Sequence, residues 1–219
     1  MSATAAAVAA LNGYSAILGR LHSRLTGARL KEALAFAEGF LKGMSIEDLC
    51  DRDDKTWADL ILDLLDFMRT RPAAKAKVRV FNPTEPENGW ESSHTVIQIV
   101  NDDMPFLVDS VGMVVAAHGA VAHALIHPVY GVTRDPSGHL LGIGVGQAIE
   151  SVIHIEIDRQ TEVMQLRQLK ELIEQALMDV RAAVVDWHAG RRARSRRGVF
   201  AYQCQRACRS AGFLALGIR

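Results

Sequence analysis

The stretch Asn101-Asp102-Asp103-Met104-Pro105-Phe106-Leu107-Val108-Asp109-Ser110-Val111 decides the fold, because it joins a strand to a helix through an unusually specific turn. Before it, Thr95, Val96, Ile97, Ile99 and Val100 are β-branched, and Gln98 alone breaks the run. After it, apolar residues at Leu107, Val111, Val114 and Val115 recur with the spacing of a helix face. Asn101, Asp102 and Asp103 supply side chains suited to capping. Pro105 suits a first helical turn, where its missing N–H has no intrahelical partner, and Gly119 after His118 suits a stop. The strand therefore delivers a helix N-terminus, with free N–H groups and a positive dipole, beside acidic side chains.

On the C-terminal side the pattern continues as a strand over residues 122–134, with Pro128 inside it, and a reversal at Asp135-Pro136-Ser137-Gly138. Residues 140–145 and 151–157 read as strands, and 161–187 as a long helix with Leu166, Leu169, Ile173, Leu177, Val180 and Val184 in one stripe. The order is β-α-β-β-α, the ferredoxin-like arrangement short of its last strand. Residues 77–81 offer a strand for the vacant edge. Pro128 places the second strand at an edge or on a bulge. In the last strand Ile153, Ile155 and Ile157 alternate with His154 and Glu156, which predicts one face under helices and the other open to a second copy or another domain.

On the N-terminal side, residues 30–41 and 57–68 carry helical stripes, 45–50 a short turn, and 1–18 an Ala-rich helix or frayed arm. The expected class is α+β, in three parts: a helical arm over 1–72, a ferredoxin-like domain over 73–187 and an irregular, disordered basic tail over 188–219. The zero net charge conceals that division. Eight of the 25 basic residues and none of the 25 acidic ones fall in the tail, leaving the rest at about minus eight. No run of roughly 18 uncharged apolar residues is present, so no membrane span is expected. Three scattered cysteines point to a reducing compartment, with cytoplasm as the default.

Several segments in register resemble the N-terminal region of the large bacterial NAD-specific glutamate dehydrogenases, whose chains carry ACT-type modules ahead of the catalytic part. They are Lys77-Val78-Arg79-Val80-Phe81-Asn82-Pro83, His94-Thr95-Val96, the turn from Asn101 to Val111, Ile126-His127-Pro128-Val129 and His154-Ile155-Glu156-Ile157-Asp158-Arg159-Gln160. The resemblance implies a parent reaction, the oxidative deamination of L-glutamate to 2-oxoglutarate with NAD, performed by a much longer chain. It also implies an ACT-type domain with an amino-acid effector at the first strand-to-helix loop. Carried onto this sequence, the effector positions are Asn101, Asp102, Asp103, Met104, Pro105, Phe106 and Leu107. The ligand amine would meet Asp102 or Asp103, and its carboxylate the N–H groups of the helix start. Many ligand-binding ACT loops have glycine where this chain has Phe106. In the competing reading the aspartates only cap the helix and Phe106 enters the core.

No catalytic residues are expected in this chain. Gly142-Ile143-Gly144-Val145-Gly146 has the wrong spacing for a dinucleotide turn and precedes a strand, so NAD belongs to the parent enzyme and no cofactor to this segment. His123, His127 and His154 make a three-imidazole cluster geometrically conceivable, but without a carboxylate or cysteine at ligand spacing the reading is structural imidazoles and no metal. Cys204 and Cys208 lack the spacing of a redox or zinc motif. The arginine cluster lacks a reading helix or aromatic platform, which argues against nucleic acid. Its acid-free composition resembles an out-of-frame reading of a truncated gene. The function so expected is the regulatory or architectural N-terminal part of a glutamate dehydrogenase, partnered by the rest of that enzyme or a second copy. The alternative is a stand-alone interaction module acting through the open sheet face.

Overall fold

The computed structural model describes residues 3–42, 44, 46–144, 146 and 148–193. Met1–Arg181 forms one compact unit, and Ala182–Arg219 a second whose described residues are helical. Most of the expected basic tail, with Cys204 and Cys208, lies outside the described residues; the long helix continues past Trp187 to Ala193.

The arm consists of α1 (Ala3–Arg24), α2 (Gly27–Lys42), α3 (Ile46–Cys50) and α4 (Asp54–Met68). Asp53 begins α4 by accepting a hydrogen bond from the Thr56 N–H at 2.6 Å. The apolar stripe of α4, with Trp57, Leu60, Ile61, Leu64, Leu65 and Met68, is wholly buried, as are Phe36 and Phe40 of α2. Beyond Pro72 come β1 (Lys77–Phe81), the single turn α5 (Glu85–Asn88), β2 (Thr95–Asp102), α6 (Leu107–Ala117), β3 (Ala122–Ile126), β4 (Val129–Arg134), β5 (Leu140–Ile143), β6 (Ala148–Ile157) and α7 (Val163–Ala193).

The sheet is antiparallel in the order β1-β2-β6-β4-β5, with β3 also paired to β6. β1 therefore fills the vacant edge beside β2, and the result is a ferredoxin-like sheet widened by the β4–β5 hairpin. The strand expected over 122–134 is two strands laid end to end along β6. Pro128 has no N–H to give the ladder, so pairing breaks at His127-Pro128, although the Pro128 carbonyl still accepts from the Val152 N–H at 2.9 Å.

Period-two alternation sends the two faces of the sheet to different helices. Ile97, Ile99, Ile153, Ile155 and Ile157 meet Leu107, Val111 and Val115 of α6 and Leu169, Ile173 and Leu177 of α7. Val96, Val100 and Val152 meet the arm, along with Trp90, Ile126, Tyr130 and Val132. This corrects the expectation of an open sheet face. The face is covered, and Gln98 and His154 on it have no exposed surface. A module acting through an open face is therefore overturned for this side of the sheet.

The polar residues that suggest a wet surface form a hydrogen-bonded row beneath the arm. Arg79, Gln98 and His154 are register neighbours across β1, β2 and β6. Arg79 donates to Gln98 Oε1 (2.6 Å), so the Gln98 amide donates to His154 Nδ1 (3.1 Å) and His154 Nε2–H donates to Glu156 Oε1 (3.1 Å). The arm closes both ends: Asp63 of α4 accepts from Arg79, and Arg52 donates to Glu156. Gln98, His154 and Glu156 are each bonded along the row, which makes their burial tolerable, while Arg52 Nη1 at its end is buried without a hydrogen-bond partner.

Burial lowers the His154 pKa from its ordinary 6.5, and it stays neutral although Glu156 pulls the other way. Glu156 is held well below the usual carboxylate range by His154 and Arg52, against the opposing effect of its own burial. Both shifts have the same sign for stability. With depressed folded-state values, the unfolded chain takes up protons first, so stability is complete above about pH 6.5 and declines below it. Glu156 joins the decline below about pH 4.5. Urea titrations between pH 8 and 4 should show His154 contributing a slope of up to about 1.4 kcal/mol per pH unit. A His154→Gln variant should flatten the upper part of that decline; an unchanged profile would show that His154 does not cause it.

Candidate functional site

The β2–α6 turn is built differently from the capped helix start that its composition suggests. β2 runs through Asn101 and Asp102, and neither they nor Asp103 caps the helix. The cap position is Phe106, in left-handed conformation (φ 71°) and without a side-chain cap bond. Pro105 precedes the helix by two residues. A side-chain-bearing residue pays roughly 1–2 kcal/mol for this conformation, which glycine adopts freely. The backbone thus keeps a glycine-like turn although the residue is phenylalanine. The Phe106 side chain is 66% exposed, which corrects its expected entry into the core; Met104 and Leu107 pack there instead.

Each acidic side chain of the turn already has a partner drawn from far along the chain. Asp102 accepts from Arg71, which follows α4, and from Arg181 of α7 at 2.7 Å. Asp103 accepts from the Ser151 hydroxyl at 2.6 Å, and its own N–H donates to the Ile149 carbonyl. Despite the desolvation that opposes it, Asp102 has a lowered pKa because of Arg181 and Arg71. Arg71 also reaches Glu150, which in turn accepts from Arg134, so three arginines and two carboxylates tie the arm, the turn, the hairpin and α7 together.

Asn101 is the exception. It is fully buried, its Oδ1 accepts from Arg181 Nη2 at 2.7 Å, and its Nδ2 has no hydrogen-bond partner. An unused buried donor costs about 1–3 kcal/mol. Close by in sequence, the first N–H groups of α6 have no intrahelical acceptor. The turn therefore combines donors, a guanidinium and a positive dipole, all of which suit a carboxylate. Arg181 is the member that sequence reasoning missed. Its signal is faint: a basic residue that follows Val180 on the face of an apolar stripe.

The histidines and the glycine run weighed in the sequence are placed as follows. His123 bonds Asp158 (2.7 Å), His127 bonds Ser151 (3.0 Å) and His154 lies in the polar row, so the three imidazoles are apart. Among the described residues no group of three or more His, Cys, Asp or Glu is arranged to hold a metal. In the glycine run, a Cβ on Gly146 would lie 1.7 Å from the Val132 carbonyl oxygen, so glycine is there for close backbone packing. The run leads into β6 and not into a helix start, so it does not fit a dinucleotide. Among the described residues no helix is long and apolar enough to cross a membrane.

Residues 36–173 match the family model described as glutamate dehydrogenase, ACT1 domain. The chain is 35% identical over 174 residues to an NAD-specific glutamate dehydrogenase of Halomonas elongata, covering 77% of this chain and 11% of that protein. It is 32% identical over 173 residues to an NAD-specific glutamate dehydrogenase of Pseudomonas aeruginosa, covering 76% of this chain and 11% of the other. The chain thus matches about a ninth of the length of these relatives.

Proposed function

We propose, because this chain belongs to the glutamate dehydrogenase ACT1-domain family, that it is the regulatory and architectural N-terminal part of an NAD-dependent glutamate dehydrogenase acting in the cytoplasm. Deamination of L-glutamate and NAD binding belong to the remainder of that enzyme, which is its partner. The arm over 1–72 and the sheet domain over 73–187 act in this reading as one platform, and the β2–α6 turn, residues 101–107, receives an amino-acid effector.

The observation that carries the effector reading is the buried, unpartnered Asn101 Nδ2 beside Arg181. The effector carboxylate accepts from that amide, from Arg181 and from the N–H groups of Leu107 and Val108. Asp102 keeps about a third of its side-chain surface open and takes the ammonium, while Asp103 holds the turn through Ser151. Met104 anchors the turn to the core, and Pro105 and exposed Phe106 form its outer wall.

Calorimetry of the chain with L-glutamate, L-aspartate and other amino acids should give a saturable heat for at least one. Asn101→Ala should weaken that binding about tenfold, the loss of one hydrogen bond to a charged acceptor. Absence of both heat and thermal shift across the panel would remove the effector. The regulatory role is tested in the full-length dehydrogenase, where the same substitution should change the response of activity to that amino acid and leave the unliganded rate alone.

A further inference from the structure

Phe106 is held in a conformation that only glycine adopts without strain (φ 71°), makes no side-chain cap bond, and leaves 66% of its surface in water. Strain of this kind persists where the surroundings impose it, and it gathers at functional sites. Packing within the chain does not account for it. Met104 and Leu107 on either side enter the core, and Phe106 belongs to neither apolar cluster.

The turn that carries it is bonded to β6, where the Asp103 N–H donates to the Ile149 carbonyl at 2.9 Å. From Ile149 the same face of β6 runs through Ser151 to Ile153 and Ile155, which are buried under α6 and α7. Ile149 itself is 48% exposed, because the helix layer stops short of it. Opposite it on β4 stands Gly131, which has no side chain, and two residues earlier Val129 is exposed in register with Ser151. Leu125, in register with Ile155, continues the exposed row across the break at His127-Pro128. The hairpin is packed by the arm on its other face, through Tyr130, Val132, Leu140 and Ile143. The widened sheet thus extends past the two helices of the α6 and α7 side, and exposed apolar side chains mark the uncovered part.

We propose that this surface, with Phe106 as its anchor, seats the remainder of the glutamate dehydrogenase, and that Phe106 enters an apolar pocket of that partner. The stretch that matches is 11% of each relative, so most of such an enzyme lies outside this chain and has a contact with it to make. Aromatic side chains are enriched at the buried centre of interfaces, and a few anchors carry most of the binding energy there. An aromatic ring has only two side-chain torsions to fix, and the left-handed backbone already sets its direction, so ordering it on contact costs little. Leu125, Val129 and Ile149 supply the apolar ground around it. The proposal rests on the reading of this chain as part of a dehydrogenase and is independent of an effector. If the turn does hold one, the partner that covers Phe106 also shields it from water.

The test compares this chain with the full-length dehydrogenase that contains it, by covalent footprinting of side chains in water. Phe106 should label readily in the chain alone and at least tenfold more slowly in the full-length enzyme, with Val129 and Ile149 also protected there. Phe106→Gly should raise the melting temperature of the chain alone by about 2–4 °C, since strain is relieved and little burial is lost. In the full-length enzyme the same substitution should return Val129 and Ile149 to the labelling rates of the chain alone. A residue kept for the fold gives the opposite sign, so a lower melting temperature for Phe106→Gly would overturn the anchor. Equal labelling of Phe106 in the two proteins would overturn the surface and leave the effector reading standing, which calorimetry with amino acids decides on the chain alone. Protection that grows with the concentration of the isolated chain and vanishes in Phe106→Gly would assign the surface to a second copy and overturn the partner.

Discussion

Replacing Glu150 with glutamine is expected to cost about 3–5 kcal/mol of folding stability, the range for breaking a buried ion pair from one side. Glu150 is 1% exposed and accepts four hydrogen bonds: from Nε and Nη2 of Arg71 and from Nε and Nη2 of Arg134. An amide keeps the shape but points an N–H₂ group at arginine donors, and it removes one of the two negative charges facing Arg71, Arg134 and Arg181. Neither arginine can swing into water cheaply. Arg71 also donates to the Lys75 carbonyl, and Arg134 binds the Gly138 and Met68 carbonyls, so it closes the C-terminal end of α4. The loss should appear as a fall in urea midpoint and a drop of roughly 10 °C in melting temperature. Asp66→Asn, which weakens the exposed pairs with Arg29 and Arg69, should cost less than about 1 kcal/mol. Equal effects of the two substitutions would mean that the buried cluster contributes no more than a surface pair.

Local chemistry made the main order of elements legible. The β-branched run before Asn101, the helix stripe after Leu107, and the stop at Gly119 (φ 80°) survive in the structure, and residues 77–81 take the edge position beside β2. What periodicity does not carry is the identity of the layer against a face. His154 and Glu156 alternate with isoleucines just as solvent-facing residues do; the groups that close their row, Arg52 on Glu156 and Asp63 on Arg79, lie in the arm. One local clue existed: Gln98 interrupts an otherwise β-branched strand opposite His154, and two polar residues at matched positions of central strands point to a satisfied buried row. The turn was legible as a place but not as a geometry. Asn and Asp before Pro are good caps in general, but here Arg71 and Arg181 engage Asp102 from about 30 and 80 residues away. No residue type announces a left-handed phenylalanine; glycine at position 106 would have.

Removal of residues 1–72 is expected to leave a chain that does not fold as a monomer. The arm covers Val96, Val100, Ile126, Tyr130, Val132 and Val152, and itself buries Phe36, Phe40, Trp57, Leu60, Ile61, Leu64, Leu65 and Met68. At about 1.5–3 kcal/mol for each large apolar side chain, the lost burial exceeds the net stability of about 5–15 kcal/mol typical of a domain. Polar losses act in the same direction. Glu156 would lose Arg52, Arg79 would lose Asp63, and the Tyr130 hydroxyl would lose the Phe36 carbonyl. A graded version of the same test is Phe40→Ala, which empties the space against Trp57 and the His154 ring and should cost about 3–5 kcal/mol. Residues 73–219 prepared alone should therefore show poorly dispersed amide resonances, no cooperative urea transition, and association through the uncovered face. A dispersed spectrum with a cooperative transition would instead establish the sheet as a domain independent of the arm. Between these outcomes lies the physical meaning of the boundary at Pro72: a proline can end a helix without ending a core, and here the apolar contacts run across it.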